Sequence, residues 1–495
     1  MPNRFLSIAQ IRHIEADAIN KFKLNLMDIA GSKIALWVTK NRPKRDRVIV
    51  LVGRGNNGGD GVIAAINLLK SGYAVSILPV ARNLNPTTES LINDFVELKG
   101  RVLTRVPTSL ASYDLIIDAI IGIGITYQLD TKLNNLIDLV NQSGSFVLSV
   151  DTPTGLDPFT GEVFGNAIRA GHTITFISDK PGFYTGSGID LVGKLSIETL
   201  INLDDFDIAK AITPEVLAND LSIIDYSILV RKTYNTNKGT FGTVVIVGGN
   251  VGMHGALYLA GRSAMLCGSG KVILCPLDKS FAPDMVMPEL MLSKPKDVLK
   301  NLEQYSVVVV GPGFGEDQVA INFLRKILKH KTQNKFIFDA DALNLIAKNP
   351  ELESQFRILP NKIITPHPGE AARLLKTTVI EINSNRFKAL NNMYLQFNSV
   401  TLIKGAGSLI KDNDNVYLNQ TGNMALSNAG QGDTLCGIIA AFVAQGMDLS
   451  SALRLSVFLH GNAAEYLVNS IGYNGILASE IALTVRNLLN KLLYS

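Results

Sequence analysis

In the stretch ALSNAGQGDTLCGIIAA, Ala425–Ala441, a small, polar first half gives way to an apolar second half, and a carboxylate, Asp433, stands at the junction. Gly430 and Gly432 let backbone N–H groups turn inward together, and the apolar run Thr434–Val443 reads as a buried helix that begins at Asp433. A glycine turn feeding a helix N-terminus favours an anion, because unpaired amides and the helix dipole both attract negative charge there. An acid in that field is either a helix cap or a group that takes a proton from something held beside the anion. The first half of the chain carries a second set. GRGNNGGDG at 53–61 sets Asn56, Asn57 and Asp60 among glycines, Asp118 ends one apolar run, and Asp151 opens DTPTGLD directly after Phe146–Val150. A carboxylate held at a strand end, partly desolvated, is well placed to move protons. Lys180, in SDKPG after the strand Thr173–Ile177, either brings its ammonium to the same edge or lies in a solvated turn. Asn57, Asp118 and Thr154 each lie at or just past the end of a different strand. Their oxygens, with backbone carbonyls, could ring a hard cation, or they could cap the helices that follow.

Positioning these residues takes alternating strands and helices. Arg47–Val52 reads as a buried strand, followed by the loop 53–61, a helix over Val62–Lys70 and a strand over Ala74–Pro79. Asp114–Asp118, a helix near Leu129–Asn141 and the strand Ser145–Val150 repeat the pattern, while Ile8–Val38 reads as a long helix interrupted around Gly31. Such alternation makes βαβ units and a mostly parallel sheet, with ligands beyond the carboxyl ends of the strands. The polar loops 53–61, 119–128 and 151–157 then converge on one edge. Asp204, Asp205 and Asp207 and the polar stretch YNTNKGT mark a change of character, which puts a domain boundary near 210 and domains at 1–210 and 211–495. The rhythm then restarts: strands over Thr243–Val247, Lys271–Leu274, Val307–Val310, Lys335–Asp339, Ile363–Thr365 and Val400–Lys404, a helix over Met253–Cys267, and a hairpin of Ser408–Lys411 with Val416–Leu418.

The totals narrow the function. A chain of 495 residues, 46% hydrophobic and 18% charged, suits a globular protein with more than one core. A formal net charge of +4 with no long Lys/Arg run argues against nucleic acid and membrane surfaces as partners. No apolar run approaches the ~18 residues of a membrane span, and Met1–Ala30, with Arg4, Arg12, Glu15 and Asp17, does not read as a signal peptide. Cys267, Cys275 and Cys436 have neither metal-type spacing nor the number for a bridged framework, so a reducing cytoplasm is the expected compartment.

GNNGGDG, DAIIGIG, VDTPTGLD and KPG, in that order, resemble the N-terminal domain family of NAD(P)H-hydrate epimerases. The resemblance implies a Rossmann-like, three-layer domain that interconverts the epimers of hydrated NADH and NADPH with a bound potassium ion. It puts substrate on Asn56, Asn57, Gly58, Gly59 and Asp60, on Gly122, Ile123, Gly124, Ile125, Thr126, Tyr127 and Gln128, and on Asp151, the candidate acid/base, with Lys180 beside it. It puts potassium on Asn57, Asp118 and Thr154, the threonine standing where the family more often has serine. From about Lys238 onward, GPGFG, DADALN, TPHPGEAARLL, KGAGS and the Asn428–Gly437 stretch resemble the ADP- or ATP-dependent NAD(P)H-hydrate dehydratases, which have a ribokinase-like α/β fold. Here the resemblance implies a nucleotide, ADP or ATP with Mg2+, on Lys404, Gly405, Ala406, Gly407, Ser408 and Gly432, and hydrate against Ala256, Gly313, Gly315, His367 and Asp433. Asp433 takes the proton of the attacking hydroxyl, as phosphoryl transfer requires. Asp339 and Asp341 read as strand-end caps or as supports for the site. A homo-oligomer is the expected assembly. Two other readings use the same architecture, a kinase for a small vitamin alcohol and a first domain that serves only as a binding scaffold. The attached first domain weighs against the former, and intact Asn57, Asp60, Asp118 and Asp151 against the latter.

Overall fold

The computed structural model describes residues 5–81, 83–125, 127–203, 215–231, 233–330 and 333–494. The chain divides into two compact units, Phe5–Ile212 and Thr213–Ser495. The boundary expected near 210 falls among residues 204–214, and it lies outside the described residues, as does Thr126.

The first unit is built on a parallel sheet of β1 (Arg47–Val52), β2 (Ala74–Pro79), β3 (Arg101–Val102), β4 (Leu115–Ala119), β5 (Phe146–Val150), β6 (His172–Phe176) and β7 (Lys194–Glu198). Their order is β3-β2-β1-β4-β5-β6-β7. The direction of winding reverses between β1 and β4, and a sheet of this kind opens a crevice at that switch point. β1 is apolar after Arg47 because both of its faces are covered. Val48, Val50 and Val52 enter one core with Ile34 and Val38 of the helix Leu26–Asn41, whereas Ile49 and Leu51 enter a second core with Leu136, Ile137 and Val140 of the helix Thr131–Asn141. That is the three-layer arrangement.

Two expectations need correction here. The N-terminal helical stretch breaks at 21–25, between helices Ile8–Asn20 and Leu26–Asn41, where Lys23 takes φ +54° and Asn25 caps the second helix, and not at Gly31. Gly31 lies inside that second helix. A Cβ there would sit 2.5 Å from Ile63, so the glycine serves the close approach of two helices rather than a turn. The loop after β1 is also shorter than the sequence suggests: the helix starts at Asn56, not Val62, and Asn56–Gly61 form its first turns.

The second unit holds β8 (Glu215–Ala218), β9 (Thr243–Gly248), β10 (Lys271–Pro276), β11 (Met291–Leu292), β12 (Val307–Val310), β13 (Lys335–Phe338), β14 (Lys362–Ile364), β15 (Val400–Ile403), β16 (Leu409–Lys411) and β17 (Asn415–Leu418). They run in the order β11-β10-β9-β12-β13-β14-β15-β16-β17-β8. β15, β16 and β17 pair antiparallel as the expected hairpin, and the other pairings are parallel. β8, which no sequence pattern announced, closes the far edge: Val216 pairs with Val416, and Asn219 donates from its amide to Asn419 Oδ1 and the Arg454 carbonyl, both at 3.0 Å. The helix Gln431–Ala444 is buried along nearly its whole length, which is why its sequence is apolar all round.

Candidate functional sites

In the first unit a cleft of about 1510 Å³ opens at the carboxyl edge of the sheet, lined by the loop after β1, the loop after β4, Asp151 and Lys180. Asp151 stands at φ +63°, a left-handed conformation that costs a non-glycine residue energy. Its Oδ1 accepts from Lys180 Nζ at 2.9 Å and from Thr175 Oγ1 at 3.0 Å. Lys180 is 1% exposed, and its ammonium also bonds Thr175 Oγ1, the Phe176 carbonyl at 3.3 Å and the Ser178 carbonyl at 3.2 Å. A solvated turn residue it is not. Asp151 keeps 15% exposure toward the cleft, so the pair offers one accessible carboxylate backed by a buried cation.

Beneath the cleft floor Asp118 is fully buried and its oxygens are engaged by protein donors: Ser149 Oγ at 2.8 Å, Thr154 N–H at 2.9 Å, Thr154 Oγ1 at 2.7 Å and the Ile120 N–H at 3.4 Å. Burial raises its carboxyl above the ordinary range while these bonds pull it back. Thr154 Oγ1 in turn accepts from the Ile121 N–H at 3.1 Å. Asn57 differs. Its Oδ1 and Nδ2 are buried with no hydrogen-bond partner among the described residues, and Oδ1 lies next to Gly122, as does Asp151 Oδ2. A buried amide is expensive to leave unpaired, so this one points to a ligand.

Of the residues assigned to substrate, Asn56, Asn57, Asp60, Gly122, Ile123, Gly124, Tyr127 and Asp151 line the cleft, and Gln128 is exposed away from that lining. Gly58, Gly59 and Ile125 are buried in packing, Gly58 against the Gly53 carbonyl and Gly59 against Met27. Sequence reasoning missed Glu15. It reaches the cleft from the helix Ile8–Asn20, and its carboxyl is raised first by burial and then by the charge of Asp151. Asp60 is raised well above its ordinary value by burial, Asp151 and Glu15.

In the second unit the helix beginning at Gln431 is capped by Gly430 at φ +88°, and among the described residues no side chain bonds its first amides. Asp433 is therefore the third helical residue and not the cap, which settles one of the two alternatives left by the sequence. A Cβ on Gly432 would lie 3.4 Å from Lys404 Nζ and 3.6 Å from Asp339 Oδ2, so the bare amides, the lysine and the acids share one corner. Lys404 Nζ pairs with Asp339 Oδ1 at 2.6 Å and lies 3.9 Å from Glu370 Oε2. Burial works against the lysine's charge, but Asp339 and Glu370 outweigh it and hold the ammonium above its ordinary value. Asp433 is pushed up to about 7, by burial first and then by Asp339, against the pull of Lys404. Cys436 donates from Sγ to Asp339 Oδ2 at 3.1 Å. Asp339 is thus the hub of the corner, a larger part than a strand-end cap.

His367 caps the helix Pro368–Leu375: its Nδ1 accepts from the Gly369 N–H at 2.9 Å and the Glu370 N–H at 3.4 Å, leaving the proton on Nε2, 3.3 Å from Glu370 Oε1. Gly313 packs against Ala256, and the Gly315 N–H donates to Asp341 Oδ2 at 2.8 Å. The turn 404–408 is held from beneath by Arg386, another residue the sequence did not single out. Its guanidinium, 4% exposed, donates to the carbonyls of Ile403 (3.1 Å), Lys404 (3.2 Å), Ala406 (2.6 Å) and Gly407 (3.1 Å). Gly405 and Ala406 are left exposed on top.

Comparison with known proteins follows the same division. Residues 23–182 match the family model described as YjeF-related protein N-terminus, and residues 244–487 match the model described as NAD(P)H-hydrate dehydratase. The Bifunctional NAD(P)H-hydrate repair enzyme Nnr of Vibrio cholerae is 34% identical over 499 residues, covering 99% of each chain. Its counterpart in Escherichia coli is 32% identical over 494 residues, covering 97% of this chain and 93% of the other. Among solved structures, an ADP/ATP-dependent NAD(P)H-hydrate dehydratase from Bacillus subtilis, co-crystallised with ATP/Mg2+, is 26% identical with a TM-score of 0.46, over 54% of this chain and 95% of that one.

Proposed function

The chain belongs to the bifunctional NAD(P)H-hydrate repair enzymes, and from that premise we propose how its two sites divide the work. It epimerises the R and S hydrates of NAD(P)H and dehydrates the S hydrate back to NAD(P)H at the expense of ADP. In the second unit, Asp433 accepts the proton of the 6-hydroxyl as that oxygen attacks the terminal phosphorus of the nucleotide, ADP or ATP with its Mg2+ as co-substrate. The bare amides of the helix start and Lys404 face the phosphoryl group, and the turn 404–408 lies over the nucleotide. Phosphate is a better leaving group than hydroxide. Its departure with the C5 proton restores the conjugated dihydropyridine. The observation that carries this reading is a carboxylate raised to about 7, one turn into a helix whose first amides no side chain caps, beside Lys404. Incubating the protein with mixed hydrates and ADP or ATP, while following absorbance of the reduced cofactor, tests it. No recovery with either nucleotide rejects it.

In the first unit, Asp151 is the acid/base of epimerisation, moving a proton to or from the oxygen borne by C6, with Lys180 holding it in place. The unpaired amide oxygen of Asn57 fits a potassium ion, which would take oxygen ligands there; Asp118 and Thr154 supply further oxygens only by releasing bonds they now make to each other. Asn57→Ala is therefore expected to abolish the potassium response of epimerisation while leaving the fold intact, since no side-chain hydrogen bond of Asn57 to the described residues is lost. A potassium titration of native and variant protein checks this, and a flat native curve rejects the ion. Thr154→Val is the poorer probe, because it strips a buried bond from Asp118 and costs about 1–3 kcal/mol of stability.

Arg386→Lys is expected to raise the KM for ADP about tenfold, roughly 1.4 kcal/mol, because three ammonium donors cannot reproduce a planar fork across four carbonyls. Epimerisation assayed on the same preparation should be unchanged. The cytoplasm is the compartment proposed, in keeping with three free, buried cysteines, and among the described residues no helix is long and apolar enough to cross a membrane. A homo-oligomer is the proposed assembly, for which sedimentation is the test.

A further inference from the structure

Inverting C6 needs more than one acid/base group. The carbon carries the hydroxyl and is bonded to N1, so the nitrogen lone pair can expel the oxygen, making an N1=C6 iminium to which water can return. If the same group on one side both helps the oxygen leave and delivers the water, the starting epimer re-forms. Net inversion needs a proton donor on the face the oxygen leaves and a proton acceptor on the other.

The cleft of the first unit contains the groups for this. Asp151 comes from the end of β5, Asp60 from the helix Asn56–Lys70, and Glu15 from the separate helix Ile8–Asn20, where Ile11 and Ile14 are buried in the core and Glu15 sits at the border of that buried face. We propose that Glu15 is the second catalytic group of epimerisation, a carboxylic acid that works on the face of the nicotinamide ring opposite Asp151. This rests on the reading of Asp151 as the first. In one direction, Glu15 gives its proton to the C6 oxygen as the C6–O bond breaks and the N1 lone pair forms N1=C6, releasing water. Water then adds to the other face of C6, the N1=C6 pair returns to nitrogen, and the water's proton goes to the Asp151 carboxylate. One water leaves, one enters, and one proton has moved from Glu15 to Asp151. The opposite epimer runs the same steps in reverse and resets both groups.

Three observations favour Glu15. Burial and the neighbouring Asp151 charge both keep its carboxyl protonated more readily than an exposed glutamate, as a donor needs. It lines the same cleft as Asp151 and Lys180, from a different element of the fold. Exposed Arg12 lies one turn away on the same helix and lines the same cleft, which puts Glu15 on the solvent side, where water can restore its proton.

The test is inversion of each purified hydrate in H2(18)O, followed by chiral chromatography and mass spectrometry with the uncatalysed rate subtracted. Native protein is expected to put one (18)O into each inverted molecule. Glu15→Gln should lose both inversion and label uptake by about 10²–10⁴-fold, and Glu15→Asp should recover part of each. A calorimetric unfolding transition of the first unit, compared with that of the native protein, serves as the control that the variant is folded. Should Glu15→Gln invert at the native rate while Asp151→Asn does not, the assignment of Glu15 is overturned and that of Asp151 stands. Native rates in both variants overturn both. Loss of inversion in Asp60→Asn with native rates in Glu15→Gln transfers the role to Asp60. If Glu15→Gln does not fold, Glu15→Asp decides in its place: inversion at the native rate there overturns the assignment, and inverted product without label in the native protein rules out the route through water loss.

Discussion

Asp433→Asn is expected to lower ADP-dependent dehydration by at least 10²–10⁴-fold and leave epimerisation at the native rate. The magnitude is that of a general base acting on a hydroxyl that is a poor nucleophile at neutral pH. An amide keeps the shape of the side chain and cannot accept the proton. Binding of ADP should be unchanged or slightly tighter, since a negative charge next to the phosphates has been removed. Two further effects follow from the environment. The carboxyl titrates at about 7, and only its ionised form is a base, so native dehydration should fall as pH drops through about 7. The stability effect has the opposite sense to the catalytic one. The folded-state value lies above the unfolded one, so the native state is penalised progressively as pH rises from about 4 to about 7 and fully above that, and the amide relieves this. By linkage the gain above neutral pH is about 1–4 kcal/mol at most. A paired assay on one preparation, with calorimetry near pH 4 and at pH 8, checks all three. Near-normal cofactor recovery would leave Asp433 as an acid with no part in the chemistry, and loss of both activities would mean that the two sites are coupled.

Asp151→Asn should stop epimerisation by a similar factor and spare dehydration of purified S hydrate, but it should carry a stability penalty where Asp433→Asn carries a gain. Asparagine tolerates the left-handed backbone at this position, so the turn itself survives. What is lost is the counter-charge of Lys180, whose side chain is 1% exposed, and breaking one half of a buried pair costs about 3–5 kcal/mol. Thr175 and the two carbonyls still accept from the ammonium and temper the loss. Asp151→Asn with Lys180→Met removes both charges and should recover much of the stability and none of the epimerisation. If the double variant is as unstable as the single one, the ion pair is not what the single substitution breaks. If Asp151→Asn epimerises normally, Asp151 is not the base.

What the sequence revealed was whatever depends on near neighbours. Asp118 and Asp151 stood out because each ends an apolar run, and a buried strand that stops at an acid presents that acid at the sheet edge. Lys180 was found for the same reason. Asp433 was found because glycines precede it and an apolar helix follows. Glu15 had no such signal: its value comes from the packing of its helix beside residues far along the chain, and locally it is one charge among several on an amphipathic surface. Arg386 was equally silent, since the four carbonyls it holds belong to a turn that only the fold brings over it. Asp339 was visible but undervalued, because its partners Lys404 and Cys436 are 65 and 97 residues away. Gly31 misled, for a glycine inside a helical pattern reads equally as a break and as a close contact.

The edge strand β8 bears on any attempt to separate the two activities. The segment similar to known dehydratases begins at 244, which makes that residue an inviting place to cut. A piece starting there would lose β8 and the Asn219 bonds to Asn419 and Arg454. It would also leave the backbone groups of Asn415–Leu418 open to solvent along an apolar strand, a template on which a second chain can add. Insolubility of such a fragment would then reflect a missing strand and not dependence of the dehydratase on its epimerase. A piece that begins at Thr213 keeps the edge covered and is the one to assay.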